Sequence, residues 1–152
     1  LEPRLALAAW AGLRSAECMR VSRENIQNSH VVVNVSQAKT RSRRTIPMCD
    51  ALKEYLDSRM EQLASPWEPS ENRYYALWRQ AHQDAAITMK KNGLRHSFCS
   101  YRLALLKDEN QVALESGNSP KMIHGHYRAL VDEGTAKRWF QPMELETLPS
   151  SS

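Results

Sequence analysis

The chain has 152 residues, and its 21 lysines and arginines outnumber 17 aspartates and glutamates, for a formal net charge of +4. That length suits one domain with a real core, and 41% hydrophobic with 25% charged residues is the balance of a soluble globular protein. The longest apolar run, residues 5–13, is too short to cross a bilayer, so no membrane partner is expected. No charged–apolar–small cleavage pattern opens the chain, and no secretory leader is expected. Cys18, Cys49 and Cys99 are odd in number and widely spaced. They read as reduced packing residues, not a disulfide framework or a zinc site, so no metal and a cytoplasmic setting are expected. Fourteen of the basic residues are arginine, whose planar fork matches phosphate oxygens in pairs. An anionic partner is therefore expected.

Residues 2–12 are rich in Ala and Leu and predict a helix with Pro3 in its first turn and Gly12 at its end. Ser15 is expected to cap a second short helix with Glu17 in its first turn. Arg14 then stands at the junction of the two. The β-branched stretch 26–35 predicts strand, as one piece or as two around a turn at Asn28-Ser29. Residues 36–43 form a polar basic turn, and 44–48 a second strand. The hairpin tip would carry Lys39, Arg41, Arg43 and Arg44, either as a solvated turn or as a contact to nucleic-acid phosphates.

Asp50 is expected to cap a helix over 51–64, with Leu52, Tyr55, Leu56, Met60 and Leu63 at helical spacing. A Pro-rich loop at 65–70 precedes a helix over 71–89, whose core candidates are Tyr75, Leu77, Trp78, Ala81, Ala85 and Ile87. Lys90, Lys91, Asn92 and Gly93 make a basic break. A buried helix follows over 94–106, and Asp108 can cap a short one after it. Pro120 starts a further helix carrying Tyr127, and a last helix covers 133–140. Residues 143–152 form a tail with Leu145 and Leu148 that ends in serines. The fold expected is mainly α with a small antiparallel β-sheet (α+β).

Four segments carry the chemistry: GLRSAE around Arg14, KTRSRRTIPM with Lys39, LRHSFCSY with Arg95, and SGNSPKMIHGHY ending at Tyr127. In this order and spacing they resemble the boxes of the tyrosine recombinases, the phage-integrase-like enzymes of site-specific DNA strand exchange. The resemblance runs from about residue 5 to 140. It implies a catalytic domain at 1–142, a tail that exchanges between protomers or is disordered, and a DNA-binding domain N-terminal to this sequence.

The resemblance also implies a mechanism. Tyr127 attacks a DNA phosphorus to form a 3′-phosphotyrosyl link, and a 5′-hydroxyl later reverses the step, with no ATP, metal or other cofactor. Arg14 and Arg95 would grip the non-bridging oxygens. Lys39 would protonate the leaving 5′-oxygen. Glu17 would orient Arg14 or cap its helix. Arg41, Arg43, Arg44, Lys90 and Lys91 are the expected contacts to double-stranded DNA. The implied assembly is a tetrameric synapse on DNA from a protein monomeric in isolation, in a bacterial cytoplasm or on the nucleoid.

Two positions depart from the pattern. The family usually has His where Asn92 stands, and His or Trp where Asn118 stands. Asparagine can donate a hydrogen bond to phosphate but cannot transfer a proton near neutral pH. Loss of such catalysis is on the order of a hundredfold or more. His124, three residues before Tyr127, is one candidate replacement; the other reading makes it and His126 surface or DNA-backbone contacts. His96 is expected to pack. Two other functions fit the same segments: a silent DNA-binding module, or a type IB topoisomerase-like relaxing enzyme.

Overall fold

The computed structural model describes residues 1–36, 42–88, 90, 92–127 and 131–142. Lys39, Arg41, Lys91 and the tail 143–152 lie outside the described residues. At the centre, helix α1 (Glu2–Ala11) lies against helix α5 (Gly93–Leu106). Pro3 sits in the first turn of α1, where its missing N–H leaves nothing unpaired, and Leu7 and Ala11 are fully buried. The helix ends at Gly12 with φ 64°. A Cβ there would fall 2.3 Å from the Phe98 ring, so both the left-handed turn and the close approach of α1 to α5 require glycine.

Arg14 is itself the N-cap of α2 (Ser15–Arg20), and Ser15, the expected cap, is its first helical residue. Glu17 accepts from the Arg14 backbone N–H at 2.8 Å, which closes the first turn.

After a 3-10 turn at Arg23–Asn25, three antiparallel strands follow in the order β1-β2-β3: β1 (Ile26–Gln27), β2 (His30–Val33) and β3 (Arg44–Pro47). The stretch 26–35 is thus two strands around Asn28-Ser29. Val31 pairs with Ile46 and Val33 with Arg44. Side chains alternate along β3, with Arg44 and Ile46 facing inward and Thr45 and Pro47 outward.

The helix expected over 51–64 is shorter. α3 covers Asp50–Asp57 with Cys49 as its N-cap, and a 3-10 turn at Met60–Leu63 follows. Arg59 ends α3 by donating to the Tyr55 carbonyl at 3.2 Å while its guanidinium lies 4.2 Å over the Tyr55 ring. Arg4 ties the turn to α1 through the carbonyls of Gln62 and Ser65. Helix α4 (Glu71–Asp84) also stops early, at Ala85 and the left-handed Ala86. Its buried residues are Tyr74 and His82, the expected Tyr75 and Trp78 are half-buried against the core, and Ile87 is 51% exposed instead of core.

α5 packs against α6 (Glu109–Ser116), α7 (Pro120–Tyr127) and α8 (Glu133–Phe140) as well as α1. Asp108 caps α6 as expected, accepting from the N–H groups of Asn110 and Gln111. α8 docks on its own domain. Tyr101 stacks on Trp139 at 4.5 Å, Phe98 meets Phe140 edge-on, and the Trp10 and Trp139 indoles donate to the carbonyls of Trp139 and Ala9. Residues 136–140 are thus packed on their own domain. Among the described residues no helix is long and apolar enough to cross a membrane. The three cysteines are free thiols, two of them buried.

Candidate functional site

Three helix ends converge on one cluster. α1 ends at Gly12, α2 begins at Arg14, and α6 ends at Gly117, whose φ of 66° turns the chain into α7. α5 passes beside them and contributes Arg95. The two arginines are held in parallel ways. Arg95 donates to the Gly12 carbonyl, and Arg14 donates to the Gly117 carbonyl at 2.7 Å. Both left-handed glycines thus present a helix-ending carbonyl to a guanidinium. Asn118 bridges the pair, its Oδ1 accepting from Arg95 at 2.9 Å and from Arg14 at 3.3 Å.

Glu17 supplies the counter-charge and is nearly consumed by another residue. Arg44 takes it in a fork, at 3.0 Å to Oε1 and 2.6 Å to Oε2, while Arg14 reaches Oε1 at 3.1 Å. Burial alone would raise the Glu17 carboxyl, but Arg44 and Arg14 outweigh it and hold it below the usual carboxylate range. Three guanidiniums against one carboxylate leave an excess of two positive charges. Arg95 feels it most. Burial and the neighbouring Arg14 push its pKa down to about 10, still cationic at neutral pH. Such a cluster is poised for an anion with several oxygens.

Tyr127, at the end of α7, is 6% exposed. Its hydroxyl lies 2.6 Å from His96 Nδ1 and beside the Cys99 thiol. Burial and Cys99 push the phenol up to about 12, while Arg95 and Arg14 pull the other way. Burial, with Arg95 and His126, holds His96 below its ordinary value. A groove of about 570 Å³ opens next to the cluster, between Arg43 and Thr45 on one side and Leu114, Gly117, Asn118 and Ser119 on the other.

The structure therefore brings Arg14, Glu17, Arg95, Asn118 and Tyr127 together. Glu17 does both things expected of it, pairing with Arg14 and closing the first turn of α2. Arg43 and Lys90 are exposed. Asn92 is exposed at the left-handed N-cap of α5, and its side chain makes no capping bond.

Two expectations are corrected. Arg44 is not a DNA-facing residue of a hairpin tip. It shares the inward face of β3 with Ile46, is 7% exposed, and is committed to Glu17 and the Glu115 carbonyl. His124 does not join Tyr127. The buried face-mate of Tyr127 is Ile123, and His124 turns outward to Glu109 at 2.8 Å. What sequence reasoning missed is the partner of His96, which is exposed on one side instead of packed. His96 meets Tyr127 across 31 residues of chain, and nothing local to either residue signals the pairing.

No protein-family model matches the chain, and no curated protein matches it in sequence. Solved structures do. The catalytic domain of bacteriophage HP1 integrase superposes with a TM-score of 0.61 at 14% identity, over 82% of this chain and 71% of that one. The XerH site-specific recombinase, solved bound to a palindromic difH substrate, gives 0.65 at 16% identity over 90% of this chain.

The fold is that of the tyrosine recombinase catalytic domain.

The Tn1549 transposon integrase, solved with transposon right end DNA, has the same fold at a TM-score of 0.51 and 15% identity over 89% of this chain. This chain spans 43% of the XerH chain and 56% of the Tn1549 integrase chain. In the tyrosine recombinase fold seen here, the first box ends α1 and starts α2, the second lies in α5, and the third is the α6–α7 turn with α7.

Proposed function

We propose that the chain is the catalytic domain of a site-specific recombinase or integrase that cleaves and rejoins DNA strands through a 3′-phosphotyrosine at Tyr127. One observation carries the reading: a two-charge excess of guanidinium stands beside a buried tyrosine hydroxyl, and Gly117 and Asn118, which hold the arginines, line an open groove. Arg14 and Arg95 hold the non-bridging oxygens of the scissile phosphate and offset the charge that grows on them during attack. Gly12, Gly117 and Asn118 fix the directions of the two forks. Asn118 adds an amide N–H for the phosphate, and Glu17 and Arg44 position Arg14 from behind. Lys39 serves as the acid for the leaving 5′-oxygen, a role that rests on the resemblance of KTRSRRTIPM. Arg43, with Arg41, Lys90 and Lys91, contacts the DNA backbone. The bond energy is kept in the phosphotyrosyl ester, so the cycle needs no ATP.

The DNA-bound XerH and Tn1549 structures support duplex DNA as the partner, and a tetrameric synapse on DNA is part of the same reading. The test is a nicked suicide duplex, from which the cleaved fragment diffuses away and the covalent complex accumulates. Wild type should form an SDS-resistant protein–DNA adduct, and Tyr127→Phe should bind the same DNA without forming it. Bound DNA with no adduct from wild type leaves a silent binding module of this fold. Relaxation of supercoiled plasmid by a monomer points to the topoisomerase-like alternative.

A further inference from the structure

Attack by a phenol requires its proton to go somewhere. The Tyr127 hydroxyl is buried and its pKa lies well above neutrality, so few molecules carry the phenolate at any moment. Neither asparagine can take the proton: Asn118 is a neutral amide bridging two arginines, and Asn92 stands exposed at the start of α5. Arg14 and Arg95 are cations with no lone pair to offer. Cys99, the other group beside the hydroxyl, is a buried thiol whose pKa burial raises, so it is neutral and a poor acceptor at neutral pH.

One group remains. His96 Nδ1 lies 2.6 Å from the Tyr127 hydroxyl, within the range for direct proton transfer. The imidazole ring leans over the phenol ring at an interplanar angle of 35°. His96 follows Arg95 on α5, and Cys99 lies one turn further on the same side, so the helix that binds the phosphate also holds the acceptor. The charged and titratable groups acting on His96 are Arg95 on its own helix and His126 with Tyr127 on α7. Burial, Arg95 and His126 all disfavour its protonated form, so the free base predominates at neutral pH. With the ring proton on Nε2, Nδ1 presents a lone pair to the phenol. His96 is also exposed on one side, so it can exchange its proton with solvent between turnovers.

We propose that His96 is the proton acceptor for Tyr127, taking over the proton-transfer work that the asparagines cannot do. The proposal rests on the strand-cleaving reading. In cleavage the Tyr127 oxygen–phosphorus bond forms and the phosphorus–O5′ bond breaks. The phenolic proton passes to His96 Nδ1, and the 5′-oxygen leaves as a hydroxyl with a proton from a separate acid, an ammonium or water. In rejoining, the incoming 5′-hydroxyl gives its proton to the conjugate base of that acid, its oxygen bonds to phosphorus as the Tyr127 oxygen–phosphorus bond breaks, and the imidazolium returns its proton to the departing phenolate.

The experiment measures single-turnover adduct formation across pH on two suicide duplexes, one ordinary and one with sulfur replacing the bridging 5′-oxygen at the scissile phosphate. The thiolate leaves without a proton, so that duplex reports the nucleophile's proton alone. His96→Gln and His96→Ala are compared with wild type, with a thermal melt and DNA binding as folding controls. The expected result is a loss of about 10²–10⁴-fold on both duplexes. In wild type the rate should fall as pH drops through the lowered His96 pKa, below the ordinary value of about 6.5. The variants should lack that limb and gain rate steadily toward alkaline pH. A variant that cleaves the sulfur duplex at the wild-type rate overturns the proposal, because the loss on the ordinary duplex would then mark His96 as an acid. Wild-type rates on both duplexes overturn it too. If wild type itself forms no adduct with either duplex, the strand-cleaving reading fails and this proposal with it; a wild-type adduct with no His96 effect removes the proposal alone.

Discussion

Glu17 has a carboxylate shared between two guanidiniums and almost no contact with water. Removing its charge leaves three arginines facing one another. Glu17→Gln is expected to lower stability by roughly 3–5 kcal/mol near neutral pH, the usual cost of orphaning one side of a buried ion pair. Its pKa is depressed in the folded state, so its contribution is present above the unfolded-state carboxylate pKa and disappears as pH falls through the folded value. Thermal melts of wild type and variant should therefore converge at acid pH and separate as pH rises; parallel curves would contradict the pairing. Arg95→Lys keeps the charge but not the fork that spans Gly12 and Asn118. Cleavage should drop by about 10²–10³-fold with DNA binding little changed. At this scale the sequence marked the turns that carry Arg14 and Asn118, which follow Gly12 and Gly117, while Tyr127 stands at the far end of the helix that Pro120 starts. Arg44 was misplaced although the alternation with Ile46 already puts it on the inward face. The His96–Tyr127 contact has no such mark, since it is made by two helices meeting.

Among the elements, α5 does the most: it packs on α1, carries Arg95 and His96, and receives α8. Its approach to α1 depends on Gly12. Gly12→Ala forces a Cβ into the Phe98 ring at a left-handed position, for a cost of roughly 2 kcal/mol or more. It also shifts the carbonyl that anchors Arg95. Urea denaturation should show the lower midpoint, and cleavage should fall further than stability alone explains. Helix existence was legible from apolar spacing, and helix ends were legible where glycine, proline or a capping aspartate marks them but not for α3 and α4. α3 stops where Arg59 folds back over Tyr55, and α4 stops at the left-handed Ala86, neither of which the spacing of apolar residues reveals. The cis docking of α8 through Trp139 was equally hidden, because an amphipathic helix near a chain end suits a neighbour as well as its own core.

For the whole molecule, the net charge of +4 and the arginine excess predict duplex binding that weakens steeply with salt. If about four phosphates are neutralised, the logarithm of affinity should fall with the logarithm of salt at a slope of about −3.6. Arg43→Ala should flatten that slope by about one unit, and Tyr127→Phe should leave it unchanged. A slope that Arg43→Ala does not alter would remove Arg43 from the DNA interface. The fold as a whole was legible from four short segments in order, although no sequence comparison finds it and the solved structures that share it are only 14–20% identical. The most direct test of the account is the chemistry of the trapped adduct: digest the complex formed on a suicide duplex and locate the DNA by mass spectrometry. The expected product is a nucleotide joined through its 3′-phosphate to the hydroxyl of Tyr127. A link to any other residue, or through a 5′-phosphate, would contradict it.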